Sequence, residues 1–266
     1  MLRTRLLTAA VALPALWLIV WKLWDPVFNG FILAVAAIGL HEYFTMALPD
    51  DRGEAATGVV LGLLVSAGVL TGNAAGLGAA VALTVVVGLL LPLVRHDDLA
   101  AAVHRLGLVL LGVLYVGFLM PHVCLLRAQP EGWRWVLFTI AGAMGSDTGA
   151  YFAGRSLGRH KLMPAVSPSK TVEGSIGGLA GAVLGAVILR MVLLPERSLA
   201  EVAGLGLAIS LLAQIGDLTE SALKRAFGAK DSGWIIPGHG GILDRLDSLL
   251  FPFVFTYYYL AVLPRG

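Results

Sequence analysis

The chain is a succession of apolar runs, at about 6–24, 27–48, 57–71, 74–94, 106–126, 134–154, 174–194, 200–219 and 248–263. A hydrocarbon core about 30 Å thick takes roughly 20 apolar residues to cross as a helix. Backbone N–H and C=O groups in lipid must be satisfied within the segment, which leaves helices as the spanning form here. The runs therefore dictate an all-α polytopic membrane protein with about eight to nine transmembrane helices. Composition agrees: 14% of residues are charged and 58% are hydrophobic, where a soluble domain carries roughly 25% charged residues. The run at 57–71 is short, and the tight "TGNAAG" joins it to the next. A hairpin or re-entrant pair stays open at this point.

The basic start and apolar core of "MLRTRLLTAAVALPALWLIVWKLW" resemble a signal peptide. The length of the run, its aromatic end (Trp17, Trp21, Trp24) and the lack of a small-x-small cleavage site favour a retained first span. The sole cysteine, Cys124, excludes an internal disulfide and argues against thiolate metal binding. With nine spans and the N-terminus inside, 13 of the 19 lysines and arginines fall on the inner side and 6 on the outer. The positive-inside rule then places the two longest polar loops, about 155–173 and 220–247, on the cytoplasmic face. Residues 1–130, mostly Ala, Leu, Val and Gly, read as scaffold helices. Residues 131–266 read as the catalytic region.

Three stretches of the second half carry chemistry. In "GSDTGAYFAGRSLGRHKL", Asp147 lies within an apolar run, where a carboxylate is a functional candidate by default. A packing hydrogen bond to Ser146 or Thr148 is the plainer alternative. In "SPSKTVEGSIGG", Ser169 or Thr171 caps the following helix, with Glu173 in its first turn. Lys170 opposes the helix dipole there unless an anion is bound, which suits a phosphate. In "QIGDLTESALKRAFGAKDSGWIIPGHGGILDRLD", Asp217, Ser221 and Lys224 share one helical face. Asp244 and Asp247 share another if that segment is helical. Carboxylates and a hydroxyl together suit a hard cation such as Mg²⁺. Lys224, Arg225 and Arg245 beside them suit phosphate oxygens.

At these residues the chain resembles the phosphatidate cytidylyltransferases, also called CDP-diacylglycerol synthases. The 27 residues from Ser221 to Asp247 fill that family's signature. They do so with Ser221, Leu223, Lys224-Arg225, Lys230-Asp231, Gly233, Ile236-Pro237, His239-Gly240-Gly241, Ile242, Asp244-Arg245, Leu246 and Asp247. "SDTGAYFAGR" and "SPSKTVEGS" are similar to the family's upstream blocks. Arg159 stands where the family often has Lys, which keeps the charge.

The resemblance implies transfer of CMP from CTP to phosphatidate, giving CDP-diacylglycerol and pyrophosphate, with Mg²⁺ as a pair of metal ions in the family's manner. It implies Asp217 and Asp244 as metal ligands, with Asp247 and Ser221 close by. Lys224, Arg225 and Arg245 would act on phosphates, together with Lys170, and Gly240 and Gly241 would let backbone approach them. His239 and Asp147 complete the expected substrate contacts, and Lys230 and Asp231 would order the loop. The expected setting is the inner (cytoplasmic) membrane, with the site facing the cytoplasm. Expected partners are CTP, phosphatidate and the bilayer, without nucleic acid, and a homodimer is left open. An aspartyl intramembrane protease using Asp147 and Asp217 is the main rival, but it needs neither Lys224, Arg225 and Arg245 nor the His-Gly-Gly turn. An ion-coupled transporter predicts helix breaks in both halves, whereas the breaks here cluster in the second.

Overall fold

The computed structural model describes residues 17–95, 98–235 and 240–262. It is an all-α polytopic membrane protein with one small β-ribbon. The helices are α1 (Asp25–Ala47), α2 (Arg52–Leu70), α3 (Ala74–Arg95), α4 (Leu99–Gly112), α5 (His122–Arg127), α6 (Gly132–Leu157), α7 (Val172–Leu193), α8 (Leu199–Ala226) and α9 (Leu243–Val262). The strands β1 (Lys161–Met163) and β2 (Ser167–Thr171) pair antiparallel between α6 and α7. Among the described residues, six helical stretches are long and apolar enough to cross a membrane. They are α1, α2, the 74–91 part of α3, the continuous 100–127 stretch, α7 and α8. Helices α6 and α9 cover the other expected runs at 26 and 20 residues and carry part of the site's charge. Of the expected first span, the described part at 17–22 is helical.

The pair left open at 57–94 is two separate long helices. Asp51 caps α2 by accepting from the Glu54 N–H at 2.8 Å, and the helix runs for 19 residues, about 28 Å at 1.5 Å per residue. Gly72, at φ +66°, turns the chain, and Asn73 accepts from the Gly76 N–H at 2.7 Å to start α3. Asp98 likewise caps α4. That helix passes without a break into a π-helical segment, Val113–Phe118. Ser66 of α2 donates to the carbonyl of Gly117 there at 2.7 Å. This satisfies an acceptor in a segment whose ordinary helical pairing is altered.

The ends of the bundle sort as the alternating topology requires. Met46 in the last turn of α1, Pro49 just after it, His104 on α4 and Phe227 after α8 line one cavity, so three ends expected on the inner side lie together. At the opposite end, Arg127 pairs with Asp25 and donates to the carbonyls of Leu23 and, at 2.7 Å, Val20. One buried core runs from Phe28, Leu40 and Tyr43 of α1 to Leu250 and Phe253 of α9, across the boundary expected at 130/131.

Helices α6, α7 and α8 position the site. Gly149 and Gly145 of α6 lie against Gly177 and Gly181 of α7 so closely that a Cβ at Gly149 would run into the Gly177 carbonyl. A Cβ at Gly181 would stand 2.5 Å from the Gly145 oxygen. In lipid, helix association depends on such close packing and on interhelical hydrogen bonds rather than on hydrophobic burial. The hydrogen bonds are present: Ser146 and Ser210 hydroxyls meet at 2.7 Å, and Gln214 donates to the Ser175 carbonyl at 3.2 Å and to Ser210 at 3.1 Å. Gly181→Val is expected to destabilise the protein by about 1–3 kcal/mol through overpacking, read as a lowered Tm in detergent. Gly185→Ala on the same helix, where nothing lies within 4 Å of the added carbon, should leave Tm unchanged.

Candidate active site

Two charged clusters meet where α6, α7, α8 and α9 come together. The first surrounds a cleft of about 440 Å³ lined by Asp147, Tyr151 and Arg155 of α6, Ser169 and Lys170 of β2, and Gln214 and Asp217 of α8. Thr171, not Ser169, caps α7, accepting from the Gly174 N–H at 3.1 Å. Glu173 does not close a capping box. It reaches to the end of the α6–β1 connection, where it accepts from the N–H of Arg159 at 3.0 Å and of His160 at 3.2 Å, and meets His160 Nδ1 at 2.6 Å. This contact pins the β-ribbon to α7 and sets the direction of β2. Lys170 then extends to Asp217, with Nζ 2.5 Å from Oδ2. Asp147 makes no bond to the hydroxyls beside it: Ser146 is engaged with Ser210, and Thr148 donates to the Met144 carbonyl. Its carboxylate instead feels Asp217, Lys170 and Arg245, which belong to the site.

The second cluster is built on Lys224, near the end of α8. Its Nζ stands 2.5 Å from Glu220 Oε2, one turn back, and 2.5 Å from Asp244 Oδ1 on α9. Glu220 is buried to 1% exposure, and the contact is an ion pair by distance without hydrogen-bond alignment. The other oxygen of Asp244, Oδ2, accepts from the Ser232 N–H, the Ser232 hydroxyl and the Gly241 N–H, each at 2.9 Å. Gly240, at φ +79°, adopts a backbone conformation that favours glycine, and a Cβ there would lie 2.6 Å from Asp244 Oδ2. The two glycines expected to admit phosphates thus first make room for the chain's own carboxylates.

Asp247 joins the clusters. Gly216 of α8 lies against the Asp247 carbonyl with no space for a Cβ, which brings Asp217 and Asp247 to facing positions on α8 and α9. The Asp247 carboxylate accepts from the Ser248 N–H at 2.6 Å and feels Asp217, Lys224 and Asp147. Ser221 is 3.4 Å from Asp217 Oδ1. Arg225, Lys230, Asp231 and Arg245 are exposed, and among the described residues Arg225 reaches the Ala229 carbonyl, at 3.4 Å. His239 lies outside the described residues. Lys170 pairs with Asp217 in the cleft that Asp147 also lines, a cation that the carboxylate dyad of the protease reading does not use.

Four residues escaped the sequence reading. Glu220 was legible as a carboxylate four residues before Lys224. Glu42, inside an apolar run, had the same signal as Asp147. Ser232 carried none. Nor did Tyr115, whose hydroxyl is buried on the π-helical segment without a hydrogen-bond partner among the described residues, within reach of the charges of Glu220, Asp247 and Asp217.

The fold and this site define a polytopic helical membrane protein that gathers cations and carboxylates at one end of its bundle. The match to the cytidylyltransferase family covers residues 3–263, and the chain belongs to that family. It is 41% identical over 159 residues to the phosphatidate cytidylyltransferase of Bacillus subtilis (strain 168), covering 59% of each chain. It is 42% identical over 142 residues to that of Staphylococcus epidermidis RP62A, covering 53% of this chain and 54% of the relative. To that of Brucella suis biovar 1 it is 43% identical over 152 residues, covering 57% and 56%. The chain therefore spans little more than half the length of these curated relatives.

Lys224→Met leaves Glu220 and Asp244 buried without their cation, at a cost of about 3–5 kcal/mol. Adding Glu220→Gln should restore part of the lost Tm, measured by thermal unfolding of both variants in detergent.

Proposed function

We propose that the chain is a phosphatidate cytidylyltransferase of the inner (cytoplasmic) membrane, working at its cytoplasmic face. The observation that carries this reading is the cleft in which Lys170, Asp217 and Asp147 meet at the ends of membrane-crossing helices. A lipid substrate stays in the bilayer and a nucleotide stays in water, so a site joining them belongs at this depth. Irregular polar backbone is tolerated there because it lines a wet cavity.

In the reaction, an ionised oxygen of phosphatidate forms a bond to the α-phosphorus of CTP, and the bond from that phosphorus to the bridging oxygen of pyrophosphate breaks. The lipid phosphate is already ionised near neutral pH, so no strong base is needed. Positioning and charge neutralisation carry the rate. Lys170 and Arg155 line the cleft as cations for phosphate oxygens, and Arg245 is exposed beside it. Lys224, held between Glu220 and Asp244, fixes the end of α8 against the start of α9.

Among the described residues, no three His, Cys, Asp or Glu side chains converge as a closed metal cage. Mg²⁺ does not require one, since it commonly uses one or two carboxylates with water and substrate phosphates. Asp217 and Asp247 fit that pattern, with Ser221 beside Asp217. Asp244, given a leading metal role by the resemblance, has both oxygens engaged by Lys224, Ser232 and Gly241, which favours a structural part in the loop. A bound divalent cation would supply charge neutralisation on the phosphates.

The purified chain in detergent, given CTP, phosphatidate and Mg²⁺, should form CDP-diacylglycerol. Equal turnover of ATP, or full activity in excess chelator, would overturn the reading. Asp217→Asn and Asp247→Asn should each lower kcat by at least about 100-fold with little change in Tm. Asp231→Asn, exposed on the loop, should stay close to the parent rate.

Orientation has its own test. With Cys124 replaced by Ala and Asp231 by Cys, the new thiol should resist an impermeant reagent added to intact cells and react once the membrane is opened. Labelling from outside would invert the topology.

A further inference from the structure

Glu42 lies in α1, some 190 residues before the loop it contacts, yet it is bound into that loop at 3% exposure. Its Oε1 accepts from the Ile242 N–H at 2.9 Å, and its Oε2 accepts from the Leu243 N–H at 2.9 Å. The Ser232 hydroxyl stands 3.1 Å from the same Oε2. The Ile242 and Leu243 amides open α9, where a helix leaves its first N–H groups without internal partners. A carboxylate there satisfies them and complements the helix dipole. Caps of this kind usually come from the residue next to the helix, whereas this one comes from the other half of the chain.

The loop is shaped around it. A Cβ at Gly233 would lie 2.7 Å from Glu42 Oε1, and one at Gly241 would lie 2.5 Å from Oε2. Ser232 bridges the two carboxylates, with its hydroxyl 2.9 Å from Asp244 Oδ2 and 3.1 Å from Glu42 Oε2. Asp244 in turn holds Lys224. Contact therefore runs from Glu42 through the start of α9 to the cation at the end of α8, and α9 also carries Asp247.

We propose that Glu42 is a positioning residue for nucleotidyl transfer: it clamps Ser232 and the start of α9 together and so sets Asp244, Lys224 and Asp247 in register with Asp217. The proposal rests on the transferase reading for its kinetic arm only. Unlike a carboxylate, which only accepts, a glutamine would turn an N–H₂ group toward one of the two helix amides. Misplacing reacting groups by about 1 Å costs on the order of 100-fold.

Glu42→Gln is compared with Ser66→Ala, which removes a buried hydrogen bond between α2 and the π-helical segment and serves as the stability control. In Glu42→Gln, hydrogen exchange should show lost protection of the 241–244 amides while α6 and α7 keep theirs. Its kcat should fall by about 10- to 100-fold, with KM for CTP within about 2-fold. Ser66→Ala should lower Tm and leave kcat at the parent value. Gly241→Ala, whose Cβ would run into both the Ser232 hydroxyl and Glu42 Oε2 and so break the same contact without altering the carboxylate, should reproduce the Glu42→Gln pattern. If Glu42→Gln does not fold, Glu42→Asp is read by the same two measurements.

Unchanged protection at 241–244 would overturn the clamp. Lost protection with a parent kcat, or a kcat loss that Ser66→Ala matches at equal Tm, would overturn the positioning role. A parent chain with no transferase activity would refute the proposed function, while the exchange measurement would still decide the clamp.

Discussion

Lys224 stands between two carboxylates, 2.5 Å from Glu220 and 2.5 Å from Asp244, with little water around any of the three. Removing charges from water costs several kcal/mol each, and mutual attraction offsets this only with close geometry and further hydrogen bonds. The further bonds are supplied on the Asp244 side by Ser232 and Gly241. The requirement to keep this triad together therefore ties the end of α8, the polar loop and the start of α9 into one unit. Glu42 joins α1 to that unit through the same helix start. The second carboxylate on α9, Asp247, is brought against α8 by the absence of a side chain at Gly216.

The other side of the site depends on a different constraint. Lipid gives helices little hydrophobic reason to associate, so α6 and α7 rely on glycine contacts and a small polar network. The β-ribbon between them is short, with strands of 3 and 5 residues, and Glu173 fixes its base. Lys170 thereby crosses to Asp217 instead of extending into water. The cleft thus has Lys170 and Asp147 from one packed pair of helices and Asp217 from the other.

Much of this was legible beforehand. The apolar runs gave the helices, and the 27-residue block from Ser221 to Asp247 gave the region of the site. Helical spacing placed Asp217, Ser221 and Lys224 on one element, and Asp244 with Asp247 on another. Roles were less legible. Spacing along a helix says which residues share a face, but not which donor on another element reaches them. Asp244 and Asp247 looked equivalent as candidate ligands, yet one is surrounded by protein donors and the other is not. Lys170 read as a cation awaiting an anion, and its partner is a carboxylate 47 residues away in the chain, on α8.

The sequence by itself determined that this chain is a helical membrane protein with its signature polar block near the C-terminal end, because a bilayer admits few backbone forms and makes buried charge conspicuous. Only the tertiary structure decided which donors each carboxylate meets, and that Glu42 of the first half bonds to the loop and helix start of the second. Those outcomes depend on contacts between elements far apart in the chain, where a difference of an ångström between helices decides whether a hydrogen bond forms. No local pattern of residues encodes that distance.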